Sequence, residues 1–290
     1  MEHYEEYKEA GRIARQALEM GAKKIKEGVS YKEIAEAIEN FISREAKIAF
    51  PVNISVNEIA AHYTPSLNDT ATFKKGDVVK IDVGAHVDGY IGDTAMTIEV
   101  GQEKRREMIQ AAEEALEDAI NIIKDGISIS EIGETIEKKI HSFGFVPIKN
   151  LQGHSLERYN LHAGISIPSI ANNNKKKLRS GDVIAVEPFV TDGRGRVIDH
   201  TYGNIYRLFK KNGKIANEIY LNFNNLPFAG RWLVKIVRKE EVNKTISFLL
   251  KRRIIAPYKS LIEANKGIVT QAEHTLLVKK NGCEVLTLSS

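Results

Sequence analysis

The sequence predicts an α+β fold of two pseudo-symmetric α/β halves, with a helical segment inserted late in the second half. Two observations carry this expectation. The first is an element order that occurs twice, helix, helix, strands, helix, helix, strands. The second is a shared signature. In both 75-KGDVVKIDVG-84 and 180-SGDVIAVEPF-189, Gly-Asp-Val precedes a strand, and a carboxylate follows the glycine by six residues: Asp82 after Gly76, Glu187 after Gly181. A duplicated unit of this kind pairs its sheets about a pseudo-twofold axis and turns equivalent strand positions toward one cleft.

Taken in order, residues 4–28 carry a helical period ending at Gly28. The stretch 30-SYKEIAEAIENFISREA-46 opens on a Ser cap with Glu33 at capping-box distance. Alternation on both sides of 86-HVDGY-90 reads 78–100 as a hairpin. Segments 103–126 and 130–144 are again helical and again closed by glycine. Between 200 and 258 lie a Phe/Tyr/Asn-rich stretch, a compact 226-LPFAGRWLVKIV-237 and further helical patterns, 240-EEVNKTISFLLKRR-253 being the clearer. Strand character resumes at 267-GIVTQAEHTLLVKKNGCEVLTL-288 with a Lys-Asn-Gly turn. The expected division is therefore 1–199 plus 259–290 as one domain and 200–258 as an inserted helical subdomain.

Composition bounds the function. With 290 residues, 42% hydrophobic and 28% charged, a sizeable core is available. The one cysteine, Cys283, excludes an internal disulfide framework and suits a reducing cytosol, so a cytoplasmic location is expected. No apolar run reaches the ~18 residues of a membrane span, and the N-terminus lacks the apolar centre of a signal peptide, so the mature chain is expected to begin here. Charge is uneven. Twelve Lys or Arg between His200 and Tyr258 face three Glu, giving that segment +9 of a net +4. Such asymmetry suggests two parts with different partners, although a solvated basic face is the plainer reading.

Carboxylates inside strands raise the chemical question. Asp82 and Asp93 interrupt strand-like runs, and Glu273 sits between Ala272 and His274 in another. An isolated charge on a buried sheet face costs several kcal/mol, so each alone reads as solvent-exposed. A lone histidine such as His154 or His162 in 153-GHSLERYNLHAG-164 is ordinarily a satisfied core or surface residue. Together, Asp82, Asp93, His154, Glu187 and Glu273 form a carboxylate-rich set with one imidazole, expected on strands facing one cleft. Like charges so crowded raise each other's pKa, and two divalent cations would resolve this. Oxygen-dominated ligation suits Mn(II), Fe(II) or Co(II) better than sulfur-rich zinc sites, and two metals about 3.5–4 Å apart hydrolyse acyl bonds at neutral pH.

On 61-AHYTP-65, 80-KIDVGAHVDGYIGDTA-95, 153-GHSLERYNLHAG-164, 186-VEPF-189, 225-NLPFAGRWL-233 and 268-IVTQAEHT-275, the chain resembles the methionine aminopeptidases. More narrowly it resembles the type 2 enzymes of the M24-like pita-bread (creatinase/aminopeptidase) fold, in their short archaeal-like form, with a winged-helix-like insertion. The resemblance implies removal of initiator methionine from nascent proteins whose second residue is small. It implies two metal ions, Mn, Fe or Co, or else Zn, with Asp82 chelating one, Asp93 and Glu273 bridging, and His154 and Glu187 holding the other. Glu187 would also take the proton of the attacking water. His162 would bond the scissile carbonyl or its oxyanion, His62 would lie near the leaving residue, and Phe50 would line the methionine pocket, with Leu161 and Tyr258 beside it. Ala272 departs from the pattern, which expects a bulkier aromatic, and this bears on pocket shape. The alternatives are a proline dipeptidase of the same fold and a non-catalytic relative that binds nucleic acid or a protein partner. A monomer is expected, with no membrane contact and with ribosome docking through Lys235, Arg238, Lys239, Lys251, Arg252 and Arg253.

Overall fold

Residues 2–288 are described by a computed structural model. The first half comprises α1 (Tyr4–Ala22), α2 (Tyr31–Ile42), β1 (Lys47–Val56), β2 (Ile59–Ala61), β3 (Val78–Val87) and β4 (Tyr90–Glu99). The second comprises α3 (Arg106–Ile122), α4 (Ile129–Ser142), β5 (Val146–Pro147), β6 (Gln152–Ser155), β7 (Ser166–Pro168), β8 (Val183–Val186) and β9 (Phe189–Thr191). Then follow β10 (Val197–Leu208), α5 (Lys214–Phe223), β11 (Phe228–Ala229), α6 (Val242–Lys251), β12 (Ile255–Glu263), β13 (Val269–Gln271), β14 (His274–Lys279) and β15 (Gly282–Val285).

Strand parity explains the layering of the first half. Val79, Ile81 and Val83 of β3 share a core with Ile13 and Leu18 of α1 and Ile34 and Ile38 of α2. Side chains alternate along a strand, so Lys80, Asp82 and Gly84 face the other way. The second half repeats the plan. Met108, Ala112 and Ala115 of α3 and Ile132, Ile136 and Ile140 of α4 pack on Ile184 and Val186 of β8 and on Leu276 and Val278 of β14. The two sheets, β1-β3-β4 and β15-β14-β8-β6-β7, meet where Ala95 and Glu273 form a backbone bridge. Threonine hydroxyls extend this seam: Thr94 donates to the Glu273 carbonyl at 2.9 Å, and Thr97 to that of Gln271 at 2.7 Å.

Local signals were followed with two shifts. The first helix stops at Ala22 rather than Gly28, because the following segment pairs its backbone elsewhere. Gly28 N–H donates to Phe73 O at 2.8 Å, and Phe73 N–H to Val29 O at 3.0 Å. Ser30 caps α2 by accepting from the Lys32 N–H, but the reciprocal box forms at α4 instead, where Glu131 returns to the Ser128 N–H at 2.9 Å. The β3–β4 turn places Asp88 (φ 50°) and Gly89 (φ 92°) in the left-handed region that a two-residue hairpin loop requires.

His86 closes that turn, its Nδ1 accepting from the Gly89 N–H at 3.0 Å, and burial pushes its pKa down from 6.5 to about 4. The folded protein therefore keeps this ring neutral while the unfolded chain takes up a proton below pH 6.5. Its contribution to stability is present above that pH and lost as pH falls toward 4, a change on the order of 3 kcal/mol. The melting-temperature advantage of the wild type over His86→Asn should accordingly shrink between pH 7 and pH 4.5. A constant gap would show that His86 does not titrate with unfolding.

The segment expected to be inserted opens in β10 and closes in β12, which pair with each other. Its own core gathers Ile219, Phe228, Leu233, Val242 and Leu249. A buried polar joint ties it to the first half. Arg231, on a 3-10 turn at Gly230–Lys235, is ion-paired with Glu39 of α2, and Trp232 Nε1 donates to the other Glu39 oxygen at 2.9 Å. Arg231 also donates to Thr64 Oγ1 and the Pro65 carbonyl, both at 2.9 Å. This joint gives the Arg-Trp pair of 225-NLPFAGRWL-233 a structural role.

Candidate functional site

Five polar side chains expected in one cleft do converge on one cavity of about 390 Å³, and all of Asp82, Asp93, His154, Glu187 and Glu273 line it. Asp82 reaches it by the parity of β3. Asp93 lies opposite Gly84 on β4, and its backbone N–H and carbonyl are both held by the Thr275 hydroxyl at 2.8 Å. His154 comes from β6, with Nε2 3.7 Å from Asp93 Oδ2 and 3.8 Å from Glu187 Oε1. Asp93, His154 and Glu273 each offer a ligand atom within 4.8 Å of the other two.

Two of the five were expected inside strands and are not there. Glu187 sits in the break between β8 and β9, beside Pro188, which has no N–H to continue the ladder. Glu273 sits in the break between β13 and β14, where the chain stops pairing with β9 and begins pairing with β8. Both carboxylates therefore occupy the point at which their chain changes partners. Gln271 joins the site without any motif in the sequence to mark it. Its Nε2 donates to Glu273 Oε2 at 3.2 Å and to Glu187 Oε2 at 3.4 Å, tying the two switch-point carboxylates together. The only sequence signal was its position two residues before Glu273.

The electrostatics call for positive charge. Burial raises the pKa of Asp82; burial, then repulsion from Asp82 and Glu187, raises that of Asp93; and burial, then repulsion from Asp93, Glu187 and Asp82, raises that of Glu273. Burial and Asp82 do the same for Glu187. Burial pushes His154 down to about 3, so its ring is a neutral donor of a lone pair. Asp82 Oδ1 and Asp93 Oδ1 are buried without a hydrogen-bond partner among the described residues. Orphaned carboxylate oxygens beside a neutral imidazole fit divalent-cation ligation, and this donor set favours hard or borderline metals.

Around the cluster, Phe50, Leu161, Phe189, Ile205 and Tyr258 supply apolar wall. Irregularities in the β1–β3 register on either side of Phe50 bring it and Asn53, three residues apart, onto one face. Gly84 makes room for the ring: a Cβ there would lie 2.1 Å from Phe50 Cε1. His162 stacks edgewise on His154 with centroids 4.4 Å apart, and its pKa is lowered by burial and by Arg207. His62, in the left-handed region at φ 62°, meets Tyr258 edge-on at 5.4 Å and is pushed down to about 4 by burial. Ala272 does not line this cleft. It packs in the second-half core, so the expected effect on pocket shape is corrected.

Comparison with known proteins agrees along the whole chain. The model of metallopeptidase family M24 matches residues 5–279. A methionine aminopeptidase of Methanocaldococcus jannaschii is 45% identical over 296 aligned positions, which span 99% of each chain. One of Pyrococcus abyssi is 46% identical over 289, spanning 96% of this chain and 97% of the relative. The crystal structure of a methionine aminopeptidase from Thermotoga maritima superposes with a TM-score of 0.72 at 26% identity, covering 98% of this chain and 95% of that one. Among the described residues no helix is long and apolar enough to cross a membrane.

Proposed function

The chain belongs to metallopeptidase family M24, and from that premise we propose that it is a methionine aminopeptidase of type 2, releasing the N-terminal methionine of nascent polypeptides whose second residue is small. The observation that carries this reading is the convergence of Asp82 and Glu187 with the buried Asp93, His154 and Glu273 on one cavity, beside an apolar wall that includes Phe50. Asp82 would hold one divalent cation, His154 and Glu187 the other, and Asp93 and Glu273 would bridge them, the metals being Mn(II), Fe(II) or Co(II), or else Zn(II). When bound, the pair supplies Lewis-acid polarisation and a nucleophile at neutral pH.

The chain's own residues supply the rest. Glu187, its carboxyl kept basic by burial, accepts the proton of the attacking water. His162, kept neutral, donates one N–H to the scissile carbonyl and holds it as negative charge develops there. His62 stands at the pocket mouth near the leaving residue, and Phe50 packs against the methionine side chain. His162→Ala should lower kcat by roughly 10²–10³-fold while leaving metal content unchanged. Metal loss equal to that of a His154 variant would reverse the assignment of the two rings.

Met-Ala-Ser with added Mn(II) or Co(II) tests the assignment. Free methionine supports it, and cleavage confined to Xaa-Pro dipeptides would favour a proline dipeptidase. No product with either metal would leave a non-catalytic binding protein.

The insertion, 200–258, fits a docking role for a cytoplasmic monomer that meets nascent chains. Lys251, Arg252 and Arg253 cluster at the end of α6, and Arg252 lies over the ring of Phe248, itself half exposed. Arg238 is engaged with Glu241 at 2.7 Å, which leaves Lys235, Lys239 and this triplet as the freer charges toward ribosomal RNA. Ribosome co-pelleting should fall steeply with salt, at about one logarithmic unit of slope per phosphate contact, and should fall again when 251-KRR-253 is changed to Glu. Equal pelleting of variant and wild type would remove the docking role and leave the peptidase intact.

A further inference from the structure

The pairing of β1 with β3 sets two side chains of β1 over the cleft. Phe50 lies opposite Gly84 and Asn53 opposite Asp82. Directly opposed residues of an antiparallel pair share a face, with Cβ atoms about 4.5–5.5 Å apart, so Asn53 stands beside the Asp82 carboxylate. It is 4% exposed and lines the cavity. Its Nδ2 donates to the Pro51 carbonyl at 2.9 Å, which fixes the orientation of the carboxamide. Its Oδ1 is buried with no hydrogen-bond partner among the described residues. Buried acceptors are as a rule paired, so an orphan in the wall of a binding cleft marks a place where a ligand brings a donor. Asp82 Oδ1 is orphaned too, but a cation satisfies that carboxylate. The neutral oxygen of Asn53 still needs a donor.

The residue type narrows what that donor is. An amide oxygen accepts an N–H without adding negative charge to four carboxylates that already oppose one another's ionisation. Gly84 and Asp82, the partners of Phe50 and Asn53, are two residues and about 7 Å apart along β3. A methionine packed on Phe50, with its carbonyl held by His162, carries its amino group on the same α-carbon, one bond from both branches. That amino group has no partner among His162, His62 and Glu187. Resting on the peptidase reading, we infer that Asn53 Oδ1 accepts a hydrogen bond from the α-amino N–H of the N-terminal methionine and so fixes its backbone between Phe50 and Asp82.

The test pairs a change in the protein with a change in the ligand. L-methioninol and its desamino counterpart, 4-(methylthio)butan-1-ol, are titrated by calorimetry into the full chain loaded with Mn(II). Asn53→Leu, which keeps the volume, and Asn53→Ala, which opens space, should each weaken methioninol about tenfold and leave the desamino alcohol within about twofold, as loss of a single hydrogen bond to the amino group requires. KM for Met-Ala-Ser should rise by a similar factor while metal content holds. Equal weakening of both alcohols would make Asn53 a structural residue, and metal loss like that of an Asp82 variant would make it a ligand; either result overturns the inference. Methionine release by wild type together with methioninol binding indifferent to residue 53 would overturn this inference alone. No methionine release by wild type would remove the peptidase reading and this inference with it. The Ala variant keeps the test standing if Asn53→Leu fails to fold.

Discussion

Asp93→Asn should abolish methionine release and strip at least one cation from the centre. Asp93 is 3% exposed, and its Oδ2 lies 3.7 Å from His154 Nε2 within the tightest triad of donors. Asn keeps the shape and the backbone ties to Thr275 but removes the charge that would bridge two metals. Fold and function should therefore part company. Without metal, the carboxyl of Asp93 is raised by burial and by the nearby Asp82 and Glu187, so its neutral isostere should leave the chelated protein at least as stable as wild type. On adding Mn(II), wild type should gain melting temperature in proportion to its occupancy, and the variant should gain less or nothing. Turnover, elemental analysis and melting curves read these separately. Near-wild-type turnover with full metal content would sink the two-metal centre.

Arg231→Ala should cost about 3–5 kcal/mol of unfolding free energy, the usual penalty for leaving a buried charge without its partner. Glu39 is 5% exposed, and burial raises its carboxyl pKa while Arg231 opposes that rise. With the guanidinium gone, Thr64 and the Pro65 carbonyl lose donors too. Thr64 stands two residues beyond His62, so the backbone around His62 should loosen together with the 200–258 segment. The double change Arg231→Met with Glu39→Gln should recover most of the loss, because neither charge then remains buried. Urea unfolding of the three proteins measures this directly. A loss below ~1 kcal/mol in the single variant would mean that the joint is solvated.

What the sequence determined by itself is what short-range periodicity and repetition can carry. Alternation along β3 put Val79, Ile81 and Val83 in the core and Asp82 on the other face, and the internal repeat placed Glu187 in register with Asp82. The Asp-Gly turn and the paired helices followed from the same local rules. Tertiary structure decided whatever depends on which distant backbone lies alongside. Glu187 and Glu273 left their expected strands because each stands where the chain exchanges one sheet partner for another. Gln271 became a tie between them only once β13 lay beside β9. The Arg231–Glu39 pair joins residues 192 apart, and the side of the sheet that Ala272 faces depends on α3 packing over it. A residue's pattern reports its neighbours within a few positions. A buried charge or a cavity is defined by groups that chain crossing brings together, and their desolvation energy exists only once the chain has folded.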